Sequence, residues 1–177
     1  GGSTVPFDFY RTVEVMTGGY QAEFGRATGG VINAVTKSGT NEWVFRLSGN
    51  YDNPDWAEDA PRTTNDANEF DENTNQNATL EVGGPIWRDR LFVYGMAQHR
   101  DNEAEFASMT TQTFNIERTD DPFYAAKIDF NLTDDHRFEA TWFDTSRTRT
   151  RSIFNFTPAV GSGGTIGAAA PGTNFID

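Results

Sequence analysis

Eight carboxylates crowd one segment of the chain, Asp52, Asp55, Glu58, Asp59, Asp66, Glu69, Asp71 and Glu72, and Arg62 alone opposes them there. Oxygen donors at this density are the chemistry of a hard cation such as Ca²⁺, which takes roughly six to eight of them. The segment lacks the glycine and the spacing of an EF-hand loop, and acidic loops are usually just solvated. Asp52, Asp55, Asp66, Glu69 and Asp71 are therefore candidates for a ligand or calcium loop, not a defined metal centre. Trp56 and Phe70 in the same segment offer apolar surface to a ligand, or equally pack the loop against its neighbours.

Other site chemistry is sparse. His99 and His136 are the only histidines and cysteine is absent, so neither a zinc cluster nor a Cys-His pair can be assembled. Gly161-Ser-Gly-Gly-Thr-Ile-Gly167 has neither the lysine of a P-loop nor a strand signal ahead of it, and reads as a flexible loop. Acids are numerous enough for the paired carboxylates of a carbohydrate-active enzyme, but sequence carries no distance between them. No enzyme is expected.

The elements that must position these residues are bounded by composition. The 177 residues are 36% hydrophobic with a mean hydropathy of -0.61, too polar for a compact two-layer α/β core, yet 14% aromatic, which argues against disorder. A net charge of -12 excludes nucleic-acid binding, which needs a basic footprint. No run approaches the roughly 18 to 20 apolar residues of a spanning helix. Barrel strands need only about 9 to 11 alternating residues, which hydropathy averages hide. Gly1 at one end and Gly-Thr-Asn-Phe-Ile-Asp177 at the other suggest cut or processed ends.

Alternation supplies five strands in the second part of the chain. In Trp43 to Tyr51, residues Trp43, Phe45, Leu47 and Tyr51 share one face, and Arg46, Ser48 and Asn50 the other. Asn77 to Ile86 sets Ala78, Leu80, Val82 and Ile86 against Asn77, Thr79 and Glu81. Leu91 to Gln98 is apolar on both faces at its start. Tyr124 to Asn131 sets Ala126, Ile128 and Phe130 against Ala125, Lys127 and Asp129, and Arg137 to Thr141 sets Phe138, Ala140 and Trp142 against Arg137, Glu139 and Thr141. Tight polar turns, Trp87-Arg-Asp-Arg90 and Leu132-Thr-Asp-Asp135, alternate with long connections, Asp52 to Gln76 and Asp101 to Pro122. Short turns at one end and long loops at the other describe a transmembrane barrel more readily than a soluble sandwich.

Ahead of these strands, Val13 to Asn41 reads VEVMTGGYQAEFGRATGGVINAVTKSGTN. Two strands, at about Thr12 to Met16 and Gly30 to Thr36, flank a Gly-rich connection, which by spacing alone is equally an ordinary hairpin with a long loop. The wording, however, resembles the end of the plug domain of TonB-dependent outer-membrane receptors, particularly the Oar-like kind, carried by Glu14, Gly18, Gly19, Tyr20, Glu23, Gly25, Arg26, Gly29, Gly30, Asn33, Thr36 and Gly39. A second match follows in the right order: Gly83-Gly-Pro-Ile86, the charged turn, then Leu91-Phe-Val-Tyr-Gly95.

The resemblance implies a mainly β chain, the C-terminal part of an α/β plug domain (residues 1–41) followed by antiparallel strands of an incomplete transmembrane β-barrel (42–177). Such barrels have about 22 strands, so five are expected to be a fragment. It implies outer-membrane lipids around the strands, TonB and its inner-membrane energising complex as partners, an extracellular ligand and a surface lipoprotein as a further candidate partner. Plug arginines in this family pair with barrel glutamates, which makes Arg26 with Glu81 or Glu139 the expected ion pairing; hydration of each in a wet lumen is the alternative. The competing reading is a soluble or surface-anchored β-rich binding module, with Trp43, Phe45, Leu47 and Tyr51 facing a protein core.

Overall fold

The computed structural model describes residues 5–17, 30–56, 58, 61–161, 163–170 and 175–176. The chain is mainly β, as expected, and the helices among the described residues are the one-turn 3-10 helices Phe7–Phe9, Pro54–Trp56 and Asn68–Phe70. Strand β1 (Tyr10–Met16) pairs antiparallel with β2 (Val31–Thr36) in a two-stranded sheet, with Tyr10 opposite Thr36 and Met16 opposite Val31.

The remaining strands form one larger sheet: β3 (Val44–Asp52), β4 (Glu72–Trp87), β5 (Leu91–Ser108), β6 (Thr113–Asp120), β7 (Phe123–Asn131), β8 (Arg137–Asp144), β9 (Thr148–Pro158), β10 (Gly164–Ala169) and β11 (Phe175–Ile176). Its order is β10-β9-β6-β5-β4-β3; β7 pairs with β5 and β8, and β11 with β9. Asp121-Pro122 alone separates β6 from β7. Proline has no N–H for a ladder, so strand pairing breaks at this point.

Three expectations are corrected here. Asp101 to Pro122 is no loop: β5 continues to Ser108 and returns as β6, with Asp101 opposite Asp120 and Ser108 opposite Thr113. Asp101, Glu103 and Glu105 share one face, opposite Asn102 and Ala104, so no row of large apolar residues marks the strand. Likewise β4 starts at Glu72, which shortens the first long connection, and the expected flexible loop at Gly161 to Gly167 is in part β10, its Thr165 opposite Thr157 of β9. Only the tip of that segment is a turn, with positive φ at Gly161 and Gly163. The large sheet thus has nine strands in place of five.

The chain divides into two compact units. The first comprises Gly1–Arg46, Glu81–Met96 and Phe123–Asp144, and the second Leu47–Leu80, Ala97–Pro122 and Thr145–Asp177. Phe9, Tyr94, Met96, Phe123 and Ala125 form the buried apolar cluster of the first, with the Phe9 and Phe123 rings edge-on at 5.5 Å. In the second, Ala67, Ala107, Phe114 and Phe156 are buried together, with Phe70 and Phe154 packed against them.

Candidate functional site

In the first unit, period two sorts side chains in the opposite sense to a soluble sheet. On β4 Glu81 is 5% exposed and Ile86 62%; on β7 Lys127 is 3% and Asp129 2% exposed, against 49% for Ile128 between them. The covered face of these strands holds ions beside Phe123, Ala125 and Met96, and the bare face is aliphatic and aromatic. Phe45, Trp87, Tyr124, Phe138 and Trp142 are likewise exposed.

Burial of ions demands partners, and each has them. Lys37, just past β2, donates from Nζ to Glu81 Oε2 at 2.7 Å. The Tyr94 hydroxyl donates to the same oxygen at 2.9 Å, and Arg46 reaches Oε1 at 3.4 Å. On β7, Lys127 donates to Thr36 Oγ1 at 2.9 Å and forms an ion pair with Glu139 at 2.7 Å. Arg137 holds Asp129 at 2.7 Å and lies 3.5 Å from Glu139. The C-terminal end of β2 is thus tied to β4 through Lys37 and to β7 through Thr36.

Glycines allow this approach. A Cβ at Gly39 would overlap the Val93 carbonyl oxygen and come within 2.9 Å of the Gly84 carbonyl oxygen. One at Gly84 would collide with the Trp43 ring. The chain leaves the contact through Asn41, whose amide exchanges two hydrogen bonds with Asp89 in the β4–β5 turn: Asn41 Nδ2 to Asp89 Oδ1 at 2.6 Å, and Asp89 N to Asn41 Oδ1 at 2.9 Å. Asp89 has φ of 63°, a left-handed conformation that Asp tolerates. Two cavities flank this segment. One, of about 190 Å³, is lined by Arg11, Lys37, Arg46, Glu81 and Tyr94 among others. The second, of about 620 Å³, is bordered by Phe9, Arg11, Lys127, Arg137 and Glu139. Both have mostly apolar walls into which a few charged side chains project.

In the second unit the acidic segment is organised by its one arginine. Arg62 donates to the carbonyls of Ala159, Gly161 and Gly163 at 3.1, 2.8 and 3.0 Å and lies 3.4 Å from Glu69, which accepts from the Gly163 N–H at 2.9 Å. Backbone hydrogen bonding lowers the Glu69 pKa, against desolvation, with help from Arg62. Burial raises that of Asp71, and Asp66 and Glu69 add to it. Phe70 packs on Phe156 at 5.2 Å, whereas Trp56 is exposed with its edge to Tyr51. Among the described residues, no group of three or more acids or histidines is arranged to hold a metal ion.

Of the motif residues, Glu14 and Asn33 are cross-strand partners in the small sheet. Gly18, Gly19, Tyr20, Glu23, Gly25, Arg26 and Gly29 lie outside the described residues. Gly30 precedes β2, where a Cβ would meet the Met16 carbonyl oxygen at 3.4 Å. Asp52 ends β3, and Asp55 and Asp66 are exposed on the connection that follows. Lys37 was not singled out by sequence reasoning. Its signal is that it is the lone cation between β2 and Trp43.

The chain is 35% identical over 144 residues to the TonB-dependent transporter Oar of Myxococcus xanthus, an alignment covering 75% of this chain. The stretch is of the Oar-like TonB-dependent receptor type. It spans 13% of the length of that Oar protein. No family model matches the chain, and no solved structure does. That relative is a transporter by its name.

Proposed function

We propose that this chain is the end of a plug domain (1–41) followed by the first strands of an outer-membrane β-barrel (42–177), in a receptor that binds an extracellular ligand. Import would draw on the inner-membrane proton gradient through TonB. The observation that carries this reading is the inverted sheet of the first unit, with Glu81, Lys127 and Asp129 covered while Ile86, Ile128 and Trp142 are bare. A barrel with a wet interior and a lipid-facing exterior requires that sorting, and a water-soluble sheet requires the reverse. The β1–β2 sheet, bound to this polar face through Lys37 and Thr36, takes the place of the plug.

The soluble-module alternative needs Trp43, Phe45, Leu47 and Tyr51 in a core, and all four are exposed. Ion pairing of the plug with Glu81 and Glu139 remains part of the proposal, with Arg26 a further cation for the same carboxylates. The test is separation of inner and outer membranes from cells producing the full-length protein, combined with surface labelling of a cysteine placed at Trp56. Recovery in the outer membrane with external labelling is the expected result; recovery in a soluble fraction would sink the proposal.

A further inference from the structure

The second unit carries a site of opposite sign to the acidic loop. Glu117 of β6 stands opposite Ala104 of β5 and Arg151 of β9, so the three share one sheet face, and Arg149 joins them two residues along β9. Both arginines converge on this one carboxylate: Arg149 hydrogen-bonds Glu117 Oε2, and Arg151 Nε lies 3.4 Å from Oε1. Arg151 also donates to Asn115 Oδ1 at 3.0 Å and sits 5.8 Å over the Phe106 ring. Its Nε is buried with no hydrogen-bond partner. Two guanidinium groups against one carboxylate leave a surplus positive charge. The reverse face of the same strands carries Asp101, Glu103, Glu105 and Asp120 against Arg118 alone. In a chain of net charge -12, a basic surplus confined to one face is a feature that solubility does not explain.

We infer that Arg149 and Arg151 form a binding site for an oxyanion, a carboxylate or phosphate group on a solute, with Glu117 as the internal carboxylate that holds both guanidinium groups in place until the ligand displaces it. Planar guanidinium forks match such groups in bidentate fashion, and the Phe106 ring holds one of them against a flat support. The inference deepens the receptor reading by naming the ligand's chemistry, and rests on it for the ligand's role.

The test is calorimetric titration of the full-length protein in detergent with citrate and, separately, inorganic phosphate. Saturable binding of at least one is expected, and the stronger of the two identifies the group. Arg151→Gln and Arg149→Gln should each weaken it about tenfold, the loss of one charge-assisted pair. Glu117→Gln should instead tighten binding, because the internal competitor is gone; a purely structural Glu117 gives no such gain. No saturable heat, binding indifferent to both arginine changes, or weaker binding in Glu117→Gln would each overturn the inference. Membrane separation of the same protein keeps the two readings apart. An outer-membrane protein without anion binding sinks this inference alone, and anion binding by a protein found elsewhere sinks the receptor reading alone.

Discussion

Lys37 and Glu81 meet at 2.7 Å across forty-four residues of sequence, and the carboxylate that Lys37 holds is the one Tyr94 also donates to. Removing Glu81 leaves a cation and a phenol without their carboxylate, whereas removing both charged partners leaves less unsatisfied. In urea unfolding of the full-length protein, Lys37→Met and Glu81→Met should each destabilise, and the double variant should cost less than the two singles together. The expected coupling is about 1–3 kcal/mol. Strict additivity would mean the pair carries no interaction.

The same contact predicts a lock. With cysteines replacing Lys37 and Glu81, joining them by a reducible bifunctional thiol crosslinker should arrest uptake if the small sheet must leave its seat, and cleaving the crosslink should restore it. Transport undiminished by a formed crosslink would show that this seat stays occupied throughout.

Gly39 predicts a steric effect separate from charge. Ala at this position places a methyl group on the Val93 carbonyl oxygen, and overpacking of this kind costs about 1–3 kcal/mol. Loss of stability in Gly39→Ala, with Gly161→Ala in the exposed hairpin tip much milder, is the expected contrast. The Gly161 change carries only the strain of its positive φ, since nothing lies within 4 Å of the added atom.

The outward aliphatic face gives a depth test. Lys in place of Ile128 should cost about 2–4 kcal/mol if that side chain sits near the bilayer midplane. Thr141, directly opposite Lys127 on the polar side of β8, should accept Glu with little change. Equal tolerance at both positions, measured by folding into vesicles, would contradict a lipid-facing β7.

Glu69 and Asp71 predict opposite pH effects. The Glu69 pKa is lowered below 4.5, so its stabilisation of the loop is full above pH 4.5 and is lost as pH falls through the lowered value. The raised Asp71 pKa destabilises the charged form, a penalty present at neutral pH and relieved on acidification. Protection of the Gly163 amide from hydrogen exchange, relative to its intrinsic rate at each pH, should therefore fall at low pH in the wild type and lose that dependence in Glu69→Gln. Asp71→Asn should protect the loop at neutral pH.

Where one face is apolar and the other polar, as in Asn77 to Ile86 and Tyr124 to Asn131, period two was enough to sort the residues, because a one-residue slip would invert every side chain. It failed at Asp101 to Glu105, where Asp101, Glu103 and Glu105 alternate with Asn102 and Ala104 and nothing apolar marks a face. Partner choice was less legible than polarity. That Glu81 needs a cation follows from its place on a strand; that the cation is Lys37 depends on how closely Gly39 lets the chain pass Val93, which is a distance between segments far apart in sequence.

The register of the small sheet fixes how it would respond to load. Tyr10 and Thr36 are partners at the same end of the pair, and just beyond Thr36 the chain is moored by Lys37 and, further on, by the Asn41 clasp on Asp89. A tug arriving ahead of Tyr10 therefore acts against a mooring beside it, so the ladder peels one rung at a time instead of shearing all at once. Peeling is the low-force geometry, and it would leave everything after Asn41 at rest while the small sheet comes apart.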